Sequence, residues 1–161
     1  MKHKNALALL AGLLFAAVAL SAAPTAQAGQ CSLAVVAGKW GFTTSGTVVG
    51  IGPRASVGIL TLDAAGNLLG GKATANLNGS VTHETFSGTY SVNPDCTGKS
   101  TIDVLDLSGN PILTITFEFV VDDNLQGLRS IFTSAVLPNG TPLATVITSD
   151  AKRVSGVEES N

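Results

Sequence analysis

Turn-forming residues recur every ten to fourteen positions after residue 28, and this spacing limits what the chain can fold into. The segments between the turns are rich in Val, Ile, Thr, Gly and Ser, and none carries apolar residues at helical spacing over three turns. Short segments of this kind are typical of all-β sandwiches and barrels. The sequence predicts eight strands, at about 39–49, 55–62, 68–76, 81–92, 100–107, 112–121, 127–136 and 142–153.

The links between consecutive predicted strands are short, and this favours an antiparallel order because parallel neighbours need a crossover of about a dozen residues. Asn78 and Gly79 predict the tightest link, a two-residue hairpin turn, because both residue types accept positive φ. An open eight-stranded meander exposes two edges, and closure removes both. We therefore predict a single all-β domain, an eight-stranded antiparallel up-and-down barrel.

Alternation of apolar and polar residues assigns inner faces to three strands, whereas the second, seventh and eighth strands are ambiguous in register. The predicted inner faces comprise Trp40, Phe42, Val48, Phe86, Gly88, Tyr90, Val92, Leu113, Ile115, Phe117, Phe119 and Val121. Gly46, Gly58 and Gly88 lie inside predicted strands and have two interpretations. They allow tight coiling of the strand, which we favour, or they hollow the lumen for a ligand.

The first 28 residues have the pattern of a secretory signal peptide. Lys2 and Lys4 precede an uncharged apolar run over 6–20, and the run is followed by the small residues Ala26 and Ala28 around Gln27. We expect cleavage after Ala28, a barrel domain over 29–154, a disordered acidic tail over 155–161, and a periplasmic or extracellular location. One rival interpretation is a membrane anchor, although the run is short for a bilayer span of about 20 residues. Another is a lipoprotein with the lipid on Cys31, although Gln30 stands where lipid attachment requires a small residue.

Cys31 and Cys96 are the only cysteines, and both lie in the exported part. In an oxidising compartment two cysteines usually pair, so we predict a disulfide between them. Together with the single histidine of the exported part, His83, they do not make a zinc site.

The charge of the exported part bears on its partners. Residues 29–161 carry 7 Lys and Arg against 11 Asp and Glu, a formal net charge of −4, without a basic cluster. Nucleic acids and anionic membranes both require clustered Lys or Arg, so we expect neither as a partner, and no membrane insertion after cleavage.

Catalytic and metal-binding patterns are nearly absent. His83 has no carboxylate on its own strand face to orient it, and no nucleophile elbow or phosphate loop occurs. We read His83 as a surface residue, place Asp103 and Asp106 on opposite faces of the fifth strand, and predict no cofactor and no metal. A weak calcium site at Asp122 and Asp123 is the alternative to a solvated turn.

Glu84 shares its strand face with Phe86 and Tyr90, and it has two interpretations. The simpler one, which we favour, places Glu84 in water at the start of the strand. The other places it inside the barrel, where an apolar environment raises the pKa of a carboxyl group and the side chain can orient a ligand.

Two short motifs resemble those of the calycins, the group that includes lipocalins and avidins. Cys31-Ser32-Leu33 followed by Gly38-Lys39-Trp40 is similar to the opening of the first avidin strand, and Phe86-Ser87-Gly88-Thr89-Tyr90 is similar to a later one. The resemblance implies an eight-stranded ligand-binding barrel in which a basic residue of the last strand, here Arg153, packs over Trp40. The allene oxide cyclase-like barrel is the alternative family.

Three functions are compatible with these observations. The leading hypothesis is a non-catalytic barrel that binds a small apolar or amphipathic molecule in its lumen. Its candidate ligand-binding residues are Thr44, Glu84, Phe86, Tyr90, Phe117 and Phe119. The second hypothesis is a structural or interaction module that binds a protein or polymer through its outer face. The third is a small cyclase or isomerase that uses one carboxylate, Glu84.

Overall fold

The computed structural model describes residues 31–154, and over this range the chain forms a closed antiparallel barrel of eight strands in sequential order. The first and last strands pair from Trp40 with Arg153 to Val48 with Thr145, and this pairing closes the barrel. The predicted fold class is therefore confirmed. The predicted signal peptide (1–28) and tail (155–161) lie outside the described residues.

The observed elements extend or trim the predicted ones by a few residues. They are α1 (Leu33–Val36), β1 (Gly38–Val48), β2 (Gly52–Leu62), β3 (Asn67–Leu77), β4 (Ser80–Val92), β5 (Thr97–Leu105), β6 (Pro111–Asp122), β7 (Gly127–Val136) and β8 (Thr145–Arg153), with a 3₁₀ turn at Asp123–Leu125. Because the strands alternate in direction, α1 lies at the end that holds the β2–β3, β4–β5 and β6–β7 turns. We call this end the base and the opposite end the mouth.

The predicted end of the fifth strand is wrong. It ends at Leu105 rather than 107, because the Asp106 carboxylate accepts hydrogen bonds from the backbone N–H groups of Ser108 and Asn110 and thereby fixes a turn. The prediction that Asp103 and Asp106 lie on opposite faces of one strand was wrong. Asp106 is a turn residue, and the hydrogen bond from the Asn110 side chain is the main cause that holds the pKa of its carboxyl below the usual value.

Four of the turns share one backbone design. In each, the first residue donates its N–H to the carbonyl of the residue four positions later, and the fourth residue donates back to the first. That fourth residue adopts positive φ, as in three-residue hairpin loops with a left-handed position. It is Gly66, Gly109, Cys96 or Gly140.

Cys96 therefore occupies a position that glycine fills in the other three turns, at a φ of 70°. A side chain in this conformation costs about 1–2 kcal/mol. The cost is offset by the predicted disulfide, which is present and joins Cys96 to Cys31 with their Cα atoms 4.9 Å apart.

The turn makes the choice of replacement at position 96 informative. We expect the variant Cys31→Ser/Cys96→Gly to be more stable than Cys31→Ser/Cys96→Ser by about 1 kcal/mol, because glycine adopts positive φ without strain. Both variants should be less stable than the oxidised protein by about 4 kcal/mol, the chain-entropy value for a loop of this length. Urea unfolding followed by the fluorescence of Trp40 measures both differences; equal stability of the two variants would show that the turn relaxes without its disulfide.

The helix α1 closes the base. It was not predicted, because a single helical turn is too short to show helical periodicity. Its carbonyl groups are satisfied by side chains of the barrel. Trp40 donates its Nε1–H to Val36 at 3.0 Å, and the Arg153 guanidinium donates to Val35 and Ala37 at 2.7 Å each. Arg153 also lies over the Trp40 ring, with its Cζ 4.5 Å from the ring centroid, as the calycin-like motif implies.

Glycines inside the strands allow close approach rather than empty space. A Cβ at Gly46 or Gly88 would collide with the backbone of the neighbouring strand. At Gly58 the space is taken by the ring of Phe42, the residue directly opposite on β1. The interpretation of tight coiling therefore agrees with the structure at these three positions.

The wall has one weak seam, between β7 and β8. The two strands are paired only at the base end, where residues 127–131 lie opposite 148–152. Towards the mouth, the loop over 137–144 pairs with the end of β7 instead, through a bridge between Val136 and Pro142 and a hydrogen bond from Leu143 to Ala135. β8 consequently begins at Thr145 and not at 142.

Candidate functional site

The lumen is the candidate site, because the inner faces of all eight strands converge on one cavity of about 100 Å³. Its lining is apolar except for a few hydroxyl groups and one pair of charged side chains. The aromatic part of the lining consists of Trp40, Phe42, Phe86, Tyr90, Phe117, Phe119 and Phe132.

Several of these rings are incompletely covered by protein. Phe42, Phe86, Phe117 and Phe132 are only partly buried although they face inward. The barrel is thus not packed solid, and the uncovered apolar surface borders the cavity. A cavity of 150 Å³ holds benzene, so the free space admits a molecule somewhat smaller than a benzene ring before side chains move.

All six predicted ligand-binding residues line this cavity: Thr44, Glu84, Phe86, Tyr90, Phe117 and Phe119. Their alternation in β1, β4 and β6 therefore placed them on the correct face. Their role in binding a ligand stays a prediction.

Glu84 is inside the barrel, so the interpretation that placed it in water was wrong. It is 5% exposed and forms an ion pair with Arg54, whose Nη2 lies 2.9 Å from Oε2 and 3.2 Å from Oε1. The side chain of Arg54 is itself only 13% exposed. The two residues are the only charged members of the cavity lining among residues 31–154.

A pair of hydroxyl groups extends this polar corner. The hydroxyls of Thr44 and Ser56 are hydrogen-bonded at 2.7 Å, and Arg54 Nη1 donates to Thr44 at 3.4 Å. Thr82 donates to Glu84 Oε1 at 3.2 Å. These side chains form a polar corner of the lumen, which Arg54 and Glu84 reach from the mouth ends of β2 and β4.

Arg54 and Ser56 were missed at the sequence level, because the strand that carries them is apolar on both faces. Leu60 and Leu62 lie at the same parity as Arg54 and line the lumen, but Val57 on the outer face is 60% exposed. Counting every second residue back from the two leucines would have found Arg54. Ile59 lies on the opposite face of the strand and is also apolar and partly buried, so the alternation that marks the inner face is hidden.

The ion pair has a testable energetic consequence. We expect Glu84→Gln to lower the free energy of unfolding by about 3 kcal/mol, because it leaves the Arg54 charge nearly buried without its counter-charge. The double variant Arg54→Met/Glu84→Met should lie within about 1 kcal/mol of the wild type, since it removes both charges and keeps similar volume. Chemical denaturation followed by Trp40 fluorescence measures each variant.

Glu118→Gln provides the matched control, because Glu118 is an exposed glutamate on the outer face. It should leave stability unchanged to within about 0.5 kcal/mol. If Glu84→Gln behaved like this control, the pair would be screened by water rather than held in an apolar lumen.

Tyr90 faces the lumen with its ring, but its hydroxyl belongs to the base. The phenolic O–H lies 2.5 Å from the Asp63 carbonyl and 3.1 Å from the Leu33 carbonyl. This hydroxyl thereby ties α1 to the β2–β3 turn. Burial is the largest cause that raises the pKa of this phenol, and the Asp63 carboxylate raises it further, while Arg153 acts in the opposite direction.

Tyr90 is the only tyrosine, so its ionisation can be followed alone by ultraviolet absorbance. We expect it to ionise in the native protein at a pH above the usual tyrosine value of about 10. Because the folded-state pKa is raised, its contribution to stability is complete below about pH 10 and is lost as the pH rises through the folded value. The variant Tyr90→Phe should lack this part of the alkaline destabilisation. If Tyr90 ionised at the same pH in the native and the denatured protein, that result would contradict the buried geometry.

Other polar candidates lie on the surface. His83 is exposed and its Nδ1 lies 3.2 Å from the Thr74 hydroxyl. Asp122 pairs with Arg129 at 2.8 Å, whereas the side chain of Asp123 lies outside the described residues. Within residues 31–154 there is no cluster of three His, Cys, Asp or Glu side chains that would suit a metal ion. The same residues form no helix with the length and apolarity that crossing a membrane requires.

Comparisons with known proteins find similar folds among solved structures. No family model matches the sequence, and no curated protein does. Among solved structures, the barrel is similar to the S-type phycobiliprotein lyase CPES from Guillardia theta, with a TM-score of 0.40 and 8% identity over 80% of this chain and 96% of that chain. A likeness of that degree assigns no function. The fold and site thus define a closed eight-stranded barrel with one ion pair in an apolar lumen, and the calycin-like motifs remain a resemblance.

Proposed function

We propose that this protein is an exported barrel that binds a small, mainly apolar molecule in its lumen. The observation that carries the proposal is the cavity itself, in which inward-facing phenylalanines remain only partly covered by protein. Exposed aromatic surface in a concave site is stabilised when an apolar molecule covers it. The volume of about 100 Å³ points to a smaller ligand than the 300–1,000 Å³ of drug-sized pockets.

The ligand does not enter through the base, because α1, the disulfide and Arg153 close that end. Towards the mouth, β7 and β8 are not paired, and this part of the seam offers a route. Separating the two strands there breaks few ladder hydrogen bonds. Phe132 and Leu143 flank this part of the wall and also line the cavity. Movement of the loop over 137–144 would therefore admit a ligand beside the aromatic lining.

Mass spectrometry of the freshly isolated protein tests the proposal. The full chain is expressed with export to an oxidising compartment, and the recovered protein is analysed by native mass spectrometry, with a denatured organic extract beside it. We expect a stoichiometric small molecule, or an apo protein that takes up small apolar probes at millimolar concentration. Absence of both would contradict lumen binding.

A pair of leucine substitutions locates the binding. Ser149 lines the cavity, and Thr148 is its exposed neighbour on the same strand. Ser149→Leu should abolish uptake because the new side chain fills the free space, whereas Thr148→Leu should retain uptake because its side chain lies outside. Equal loss in both variants, or retention in both, would place binding elsewhere.

The other two hypotheses lack a supporting observation within residues 31–154. The strongly exposed apolar side chains lie on several strands and turns, for example Val57 on β2, Leu107 in the β5–β6 turn and Val146 on β8. The carboxylate proposed for an enzyme, Glu84, already accepts hydrogen bonds from Arg54 and Thr82. We therefore retain only lumen binding as the proposed function.

A further inference from the structure

We infer that the lumen selects uncharged ligands that carry one hydrogen-bonding group, and that the Arg54–Glu84 pair sets this selection. The inference rests on the proposed function and deepens it by naming the ligand class. It follows from the charges inside the barrel, because the two charged residues of the lining carry opposite charges and lie in direct contact.

The first step of the argument is the net charge of the site. Arg54 and Glu84 are bound to each other through Nη2, so the lumen is neutral as a whole. A ligand with a net charge would bring an uncompensated charge into an apolar cavity, which is costly because little water remains there to solvate it. A charged ligand could gain a counter-charge only by breaking the Arg54–Glu84 pair. The displaced residue of the pair would then have no partner.

The second step is what the polar corner still offers. A carboxylate oxygen accepts about two hydrogen bonds, and Glu84 Oε2 accepts one from Arg54, whereas Oε1 accepts one from Arg54 and one from Thr82. The hydroxyls of Thr44 and Ser56 can both donate and accept. These groups lie beside the ion pair at the edge of the aromatic lining. An amide, alcohol or ketone can bond to them without disturbing the pair, while its hydrocarbon part covers the exposed rings.

Three small probes of similar shape test the inference: propionamide, propionate and n-propylammonium. Propionamide and propionate are near-isosteric, so they differ at the site mainly in charge. Titrations monitored by amide chemical shifts in ¹⁵N-labelled protein report both lumen binding and the integrity of the fold. For the wild type we expect propionamide to bind at least about tenfold more tightly than either ion.

Single substitutions in the pair should reverse the preference. Glu84→Gln leaves a net positive lumen, so propionate should become the best of the three probes. Arg54→Gln leaves a net negative lumen, so n-propylammonium should become the best. The outer-face control Glu118→Gln should keep the wild-type order, since Glu118 does not line the cavity.

The outcomes separate the inference from the proposed function. If the wild type binds propionate as tightly as propionamide, or if both charge variants keep the wild-type order, selection by the pair is overturned while lumen binding stands. If none of the probes shifts lumen resonances in the wild type or the variants, both are overturned. The wild-type comparison decides the question alone if a variant fails to fold.

Discussion

The guanidinium of Arg153 joins the two ends of the described chain, and the closed base depends on it. It donates to the carbonyls of Val35 and Ala37 and lies over Trp40, at the start of the first strand. A lysine would supply the charge but not the planar fork that reaches two carbonyls at once. Arg153 also pairs with Trp40 in the β1–β8 ladder. The same residue therefore takes part in closing the barrel and holds α1 across its base.

Closing the base in this way shapes the lumen above it. The disulfide and the Tyr90 hydroxyl add two further ties between α1 and the neighbouring turns. Above these ties, phenylalanine rings of β1, β4 and β6 pack over glycines directly opposite on the next strand, in the pairs Phe42–Gly58, Phe86–Gly71 and Phe119–Gly98. A glycine has no side chain, so each of these positions leaves room for the ring opposite it.

Local chemistry explains which features the sequence could predict. The strand count follows from turn residues, and the tight hairpin at Asn78 and Gly79 is confirmed, with φ of 51° and 93°. The inner faces of β4 and β6 were readable because small polar residues alternate with large apolar ones. β2 was not, because Val57 and Ile59 make its outer face apolar too. The ion pair spans 30 positions of sequence, and nothing local to Arg54 or Glu84 reveals such a contact.

The buried pair is more informative about function than about stability. Apolar residues of similar volume would fill its place at little energetic cost, so the fold does not require two charges in the lumen. What the charges provide is an oriented polar corner that is already neutral and already satisfied. On the proposed function, such a corner would exclude ions, which find no counter-charge there, but it could accept or donate one more hydrogen bond through Glu84, Thr44 and Ser56. In a cavity of this size, that single contact would fix which end of a ligand enters the polar corner and which end covers the aromatic rings.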